Sequence, residues 1–216
     1  MTILITGASR GIGKALLDSY AAAGATVIGT HRQPDEGAMR ELDVTDPASQ
    51  ARLATSLGDT AIDLLICNAG IYPDKGQALD DGYPAEMWAQ GFATNVTGVF
   101  LTIRHLLPHL RRADQAKIAI ISSQMASHTH APGGSYIYRA SKAAVLNLGR
   151  NLATDLAPEG ISVGIYHPGW VRTDMGGSAA EISTDESVRG LMDRFAALGP
   201  DTTGCFETWD GQPHPY

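Results

Sequence analysis

Tyr138 and Lys142 stand four residues apart in Tyr138-Arg139-Ala140-Ser141-Lys142, the spacing that puts two side chains on one face of a helix. The same face continues through Val145, Gly149, Leu152 and Leu156, so Lys142 opens a stripe that should pack against a core. An unpaired ammonium is costly there, and such breaks in the apolar pattern mark functional positions. The chemistry that suits the pair is proton transfer at an oxygen. Hydride addition to a carbonyl develops an alkoxide, which needs a donor held close to it. A free tyrosine ionises near pH ~10, and a neighbouring ammonium favours phenolate and lowers that value. Ser122-Ser123 closes the apolar run Ile118-Ala119-Ile120-Ile121, where a hydroxyl can emerge beside the tyrosine; Ser123 is the candidate and Ser122 the alternative.

A second pattern lies at the other end of the chain. In Thr6-Gly7-Ala8-Ser9-Arg10-Gly11-Ile12-Gly13, glycines at 7, 11 and 13 let the backbone turn sharply and approach a pyrophosphate at a helix N-terminus, where free N–H groups favour negative charge. Gly7, Ser9, Arg10, Gly11, Ile12 and Gly13 are therefore candidate dinucleotide contacts, although the glycine spacing differs from the usual fingerprint. A dinucleotide fold reserves a carboxylate about 20 residues further on for the ribose hydroxyl of NAD, or an arginine for the 2′-phosphate of NADP. Here the second apolar run ends Thr30-His31-Arg32 with no carboxylate. Arg32 and Arg10 together suit a phosphate dianion, which favours NADP(H) over NAD(H). The positive ring of an oxidised nicotinamide would act on Tyr138 in the same sense as Lys142. Asp43, beside Val44, either meets the adenine amine or caps the helix that begins near Pro47.

The elements that position these groups are legible as alternating runs. Ile3 to Thr6, Thr26 to Thr30, Leu64 to Cys67, Ile118 to Ser122, Ile161 to Tyr166 and Cys205 to Trp209 read as strands, with a short further one ending at Leu42. Ile12 to Ala23, Pro47 to Leu57, Val96 to Arg112, Tyr138 to Leu156 and Asp185 to Leu198 read as helices. This order is that of βαβ units: an α/β class, a doubly wound parallel sheet with helices on both faces, and ligands beyond the carboxyl ends of the strands. The 216 residues suit one domain, 1–216, with a substrate loop at about 174–190. The loops richest in Gly, Pro and polar residues are Pro73 to Pro84, Ser127 to Ser135 and Gly176 to Ser183.

Sixteen basic and twenty-three acidic residues give a net charge of −7, and no basic run offers a footprint for nucleic acid or anionic lipid. No apolar stretch nears the roughly 18 residues of a membrane span, and no leader pattern is visible, so a cytoplasmic protein with a small-molecule ligand is expected. Cys67 and Cys205 are too few for a disulfide framework and read as free thiols on strands.

Taken together, these residues resemble the short-chain dehydrogenase/reductase family over essentially the whole chain. The marks come in order: Thr6 to Gly13, Cys67-Asn68-Ala69-Gly70, Asn95, Ser123, the Tyr138/Lys142 pair and Pro168-Gly169-Trp170-Val171-Arg172-Thr173. The resemblance implies a single-domain Rossmann fold and a catalytic tetrad of Asn95, Ser123, Tyr138 and Lys142. In it Lys142 also holds the nicotinamide ribose and Asn95 a water of a proton relay. It implies further that Asn68, Ala69 and Gly70 border the adenosine side, and that Pro168, Gly169, Val171 and Thr173 border the carboxamide. Arg10 and Arg32 match a basic pair that accompanies NADP(H). Gly133 to Arg139, Pro168 to Gly177 and Trp209-Asp210-Gly211 are similar to the C-factor and sniffer branch of carbonyl reductases, some of whose members are discussed as signalling factors. Two departures stand out: Cys67 replaces a common asparagine, and Ser123 lies fifteen positions before Tyr138, farther than usual.

The implied reaction is hydride transfer between NADP(H) and a carbonyl or alcohol, with Tyr138 as general acid and base. The alternative is a dinucleotide-binding regulatory protein with little turnover, for which Tyr138 would not be needed. Tyr136, Trp170, Met175 and the loop 176–183 should meet a partly apolar substrate, although Trp170 also suits a core. His105 with His109, and His128 with His130, lack a Cys or carboxylate at ligand spacing, so no metal is expected and these histidines read as surface or loop residues. Val96, Val99, Phe100, Ile103, Leu107 and Leu110 form a helical stripe expected in the core. In the family that helix joins its twin, which implies a homodimer or homotetramer.

Overall fold

The computed structural model describes residues 1–33 and 39–216. The chain runs β1 (Thr2–Ile5), α1 (Gly11–Ala22), β2 (Thr26–His31), β3 (Arg40–Glu41), α2 (Pro47–Ser56), β4 (Leu64–Cys67), α3 (Ala85–Phe92), a π-helical turn (Ala93–Thr97), α4 (Gly98–Leu110), β5 (Lys117–Ile121), α5 (Tyr136–Leu156), β6 (Ser162–His167), α6 (Thr184–Ala197) and β7 (Phe206–Thr208). The strands form one sheet in the order β3-β2-β1-β4-β5-β6-β7, parallel at every pairing. This is the doubly wound sheet expected from the alternation of runs.

Both faces of the sheet are covered, which is why its strands read as unbroken apolar runs. Leu65 and Cys67 of β4, Ile118 and Ile120 of β5, and Val163 and Ile165 of β6 pack with Leu53 of α2, Ile103 and Leu106 of α4, and Val145 of α5. The intervening residues, Leu64, Ile66, Ala119, Ile121 and Tyr166, turn to the other face, where Leu16 of α1 and Leu191 and Phe195 of α6 meet them.

The structure corrects several expectations. The helix expected over Val96 to Arg112 is the second part of a helical run that begins at Ala85 and passes through the π-helical turn. In α4, Thr102, Leu106 and His109 occupy core positions, while Phe100 is 40% exposed and Leu107 half-buried. The polar pair is tolerated because each is bonded: Gln50 Nε2 donates to Thr102 Oγ1 at 2.8 Å, and His109 Nδ1 lies 2.9 Å from the Thr60 carbonyl. His109 is thus a core residue and not a surface one. Trp170 is exposed, outside the core. Cys67 and Cys205 are both free, but Cys205 precedes its strand, since β7 covers only Phe206–Thr208. Among the described residues, no helix is long and apolar enough to cross a membrane, and no cluster of ligating side chains fits a metal ion.

The cap of α2 is Asp46, not Asp43. Its carboxylate accepts from the backbone N–H groups of Ala48 and Ser49 at 2.9 and 3.0 Å, while Asp43 accepts from Thr45 two residues on. Asp46→Ala should cost about 1 kcal/mol of stability, read as a lowered urea midpoint with an unchanged denaturant slope.

Candidate active site

Along the carboxyl edge runs a cleft of about 320 Å³. Its floor begins just past β1, at Thr6, whose buried hydroxyl accepts from the N–H groups of Asn68 and Ala69, both at 3.0 Å. The Asn68 amide in turn donates to the carbonyls of Thr6 and Gly7 at 3.0 Å each. These bonds tie the turn after β1 to the turn after β4. Gly7 and Gly11 adopt φ of +67° and +56°, which favours glycine at both. Gly13 lies beneath the turn, where an added Cβ would stand 2.3 Å from the Gly7 carbonyl oxygen and 2.4 Å from the Asn68 amide nitrogen. The first turn of α1 has no side-chain cap, so its N–H groups remain for an anion in the cleft. The glycine cradle and the uncapped helix end fit a pyrophosphate.

The candidate residues gather along this cleft. Gly7, Ser9, Arg10, Gly11, Ile12, Arg32, Asp43, Val44, Asn68, Ala69, Gly70, Tyr138, Lys142, Pro168 and Thr173 all form its wall. Gly13, Asn95, Ser123, Gly169 and Val171 do not, whereas Ser122, the alternative hydroxyl, does; Val171 is buried and pairs with Ile182 across the loop that follows β6. Arg10 reaches Asp174 at 2.8 Å, and both side chains are about three-quarters exposed. Such a pair is weakly held. The Asp43 carboxyl is kept below its ordinary range chiefly by the Thr45 hydroxyl, with the Arg32 charge adding to the effect.

At the far end of the cleft, Tyr138 and Lys142 lie in the first turns of α5, both buried. Lys142 Nζ donates to the Ile121 carbonyl at 2.9 Å and stands 5.6 Å from the centre of the Tyr138 ring. The two serines after β5 separate here. Ser122 donates its hydroxyl to the Lys142 carbonyl at 3.1 Å. The Ser123 oxygen accepts from the N–H of Met125 and acts on the Tyr138 phenol. Burial pushes that phenol up to about 12, Ser123 opposes the rise and Tyr72 adds to it. The lowered phenol expected from the sequence is therefore not produced by the chain's own groups. Burial pulls the Lys142 ammonium down to about 8.

Asn95 sits behind the wall in the π-helical turn, a feature that recurs at functional sites. Its amide oxygen accepts from the N–H of Ile71, and its amide nitrogen donates to the Ile71 carbonyl, each at 2.9 Å, and to Ser141 Oγ at 3.0 Å. Sequence reasoning missed the residues around it. Tyr72 stacks on Tyr138 with ring centres 4.2 Å apart. Asp74 is fully buried beneath the start of α5, and Gln90, Thr94 and Ile121 are among the further residues of the cleft wall. The one available signal for Asp74 was a carboxylate in the turn-rich segment after Asn68-Ala69-Gly70, with nothing local to pair it with a helix more than sixty residues on. Tyr136, Trp170 and Met175 expose much of their apolar surface, and Met175 also faces the cleft.

Comparison with known proteins agrees with this architecture. The family model described as short chain dehydrogenase matches residues 1–183. The C-signal of Myxococcus xanthus is 38% identical over 164 residues, 76% of this chain and 98% of that protein. An NADPH-bound carbonyl reductase from chicken fatty liver superposes with a TM-score of 0.91 at 30% identity, covering 100% of this chain and 98% of that one. The carbonyl reductase Sniffer of D. melanogaster gives 0.92 at 27% identity, with 100% and 99% covered.

The buried ammonium has a measurable cost. Lys142 carries a proton more readily in the unfolded chain, at its ordinary 10.5, than in the fold, at about 8. Its penalty is complete below about pH 8 and fades as pH rises toward 10.5. Lys142→Met should therefore stabilise the protein by about 1–3 kcal/mol at about pH 7 and by clearly less at about pH 9.5, read from urea unfolding at the two values.

Proposed function

The chain belongs to the short-chain dehydrogenase family, and from that premise we propose that it is an NADP(H)-dependent oxidoreductase moving a hydride between nicotinamide and a carbonyl or alcohol. The observation that carries the proposal is the joining of two features in one cleft: the glycine cradle at its near end, and the buried Tyr138/Lys142 pair at its far end; Ser122 lines the same cleft, while Ser123 bears on the Tyr138 phenol from outside that lining. A binding protein would need only the first.

Bound in this cleft, a nicotinamide dinucleotide supplies or accepts the hydride and, when oxidised, adds a positive ring charge. The remaining steps are read from this chain's own residues. Tyr138 Oη, kept protonated at neutral pH by burial, gives its proton to the carbonyl oxygen as charge develops there. Ser123 Oγ is the second donor to that oxygen. Lys142 spends one of its three donors on Ile121 and directs the others to the cleft, where they hold a ribose and stabilise phenolate after the proton has left. Arg32, with Arg10 once drawn from Asp174, receives the 2′-phosphate; the NADPH bound by the chicken relative supports the same choice. Asn95 is committed to Ile71 and Ser141, so its part is to hold the wall behind Tyr138. We read the segment from Asp174 to the start of α6, with Tyr136 and Trp170, as the substrate side of a single domain. The exposed Phe100 face of α4 is the candidate for self-association.

Titration with NADPH and with NADH, followed by nicotinamide fluorescence, should show NADPH bound at least about tenfold more tightly, ~1.4 kcal/mol. A preference for NADH would overturn the arginine reading. Tyr138→Phe should lower turnover of para-nitrobenzaldehyde by about a hundredfold or more while leaving NADPH affinity unchanged. Full activity in that variant would overturn the role given to the phenol.

Asp174→Ala releases Arg10 from its exposed partner. It should tighten NADPH by about two- to fivefold and leave NADH untouched, as read in the same titration.

A further inference from the structure

The start of α5 has no local means of holding its place. Gly133, Gly134 and Ser135, the three residues before it, all have positive φ, at 85°, 68° and 50°, and Ser135 at the cap position makes no side-chain bond to the helix. Helix starts ordinarily satisfy their free N–H groups with such a cap. Yet Tyr138 is only the third residue of this helix, and general acid catalysis depends on where its phenol stands.

The missing cap comes from far away in the chain. Asp74, fully buried, directs its carboxylate into the open end of α5. Oδ2 accepts from the N–H of Ile137 at 2.8 Å, and Oδ1 and Oδ2 accept from the N–H of Tyr138 itself at 3.2 and 3.4 Å. The segment that carries Asp74 is fixed at its other end. Ile71 is held on both backbone groups by Asn95, and Tyr72 lays its ring on that of Tyr138 while its hydroxyl bonds Ser135 Oγ. Tyr83, farther along, accepts the Ser135 N–H at 3.2 Å. Residues 71–83 thus form a bracket between the π-helical turn and α5, and Asp74 is its only carboxylate bonded to the helix start among the described residues.

We propose that Asp74 is a positioning residue for Tyr138, setting the phenol along the reaction path by holding the backbone of the tyrosine from outside its helix. The inference rests on the oxidoreductase reading above. It assigns importance to the length of the side chain and to its accepting oxygen, and not to its charge. Asn keeps the length and one accepting oxygen where Oδ2 now serves both N–H groups; Glu keeps the charge but is a methylene too long for the space; Ala offers no acceptor.

The test is steady-state kinetics with NADPH and para-nitrobenzaldehyde on Asp74→Asn, Asp74→Glu and Asp74→Ala, each also titrated with NADPH and checked for a cooperative melt. Asp74→Asn should keep kcat within about threefold, and Asp74→Glu and Asp74→Ala should lose about tenfold or more, with NADPH Kd held within about twofold in all three. If Asp74→Ala fails to fold, the Asn and Glu variants decide alone. Overturning results are an unchanged kcat in Asp74→Glu, Glu better than Asn, or a loss that follows NADPH affinity. If the wild-type protein binds NADPH but reduces no carbonyl, the oxidoreductase reading fails by itself. The positioning of Tyr138 is then decided by hydrogen exchange at its amide: slow in wild type and Asn and about tenfold faster in Glu supports it, and equal rates overturn it.

Discussion

A primary ammonium buried against the end of a parallel sheet is the constraint around which this molecule is arranged. Lys142 is almost wholly removed from water, and within the protein it donates one full hydrogen bond, to the Ile121 carbonyl where β5 stops. That carbonyl is available because the strand ends there; within the ladder it would be spent on a neighbour. Gly70 leaves the space beside it, since a Cβ at that position would stand 3.3 Å from Asn95 Oδ1 and 3.5 Å from Lys142 Nζ. Ser122, by bonding the Lys142 carbonyl, ties α5 to the same strand end. Burial pulls its pKa down, and a buried cation with one protein hydrogen bond at a cleft wall is suited to a ligand that offers it more.

The helical run from Ala85 to Leu110 supports that arrangement from behind through two close approaches. An added Cβ at Gly91 would lie 2.6 Å from Ile137, and one at Gly98 would lie 3.0 Å from Val44. The first contact draws α3 onto the start of α5, and the second draws α4 onto the segment between β3 and α2. Between these two points the run passes through the π-helical turn, and the widened turn carries Asn95, whose amide clamps Ile71. Two contacts behind the cleft wall thus depend on close approaches that a residue with a Cβ would crowd.

How much of this could be read from the sequence depended on the range of each interaction. The glycine turn was legible because strand end, cradle and helix start fall within eight consecutive residues, and the Tyr138/Lys142 pair because a helix brings residues four apart together. Strands β1, β4, β5 and β6 announced themselves as apolar runs since both their faces are covered. Asp74 stayed hidden because its partners, Ile137 and Tyr138, are more than sixty positions away. Asn95 was found through resemblance, but its bond to Ile71, 24 positions away, was not, because no local pattern joins the two. The α4 stripe misled for a different one: Thr102 and His109 are polar yet buried, because Gln50 and the Thr60 carbonyl satisfy them, while apolar Phe100 faces outward. Binary patterning assumes that polarity and burial oppose each other, and bonded core polar groups break that assumption. Of the two roles open to Asp43 in the sequence, the cap belongs to Asp46 instead, since the two carry the same side chain and only the backbone path decides which one faces the N–H groups of α2.

The two ionisable groups of the candidate site are shifted in opposite directions by one cause. Burial disfavours charge, so it keeps the Tyr138 phenol protonated and makes the Lys142 ammonium readier to lose its proton. Without a ligand, then, the protein holds its acid in the proton-bearing form and its cation at a reduced hold, which is a poor arrangement for making phenolate and a good one for donating to an oxygen. A positive charge brought into the cleft shifts both groups again: it stabilises phenolate, and by repelling the ammonium it lowers the lysine further. On the proposed reading, the oxidised dinucleotide carries that charge and the reduced one does not. On that reading the strength of Tyr138 as a base would follow the redox state of what is bound, the acid form suiting the reduced cofactor and the base form the oxidised one. One side chain can then serve both directions of hydride transfer, because the burial that positions it also leaves its proton affinity to be set by the ligand.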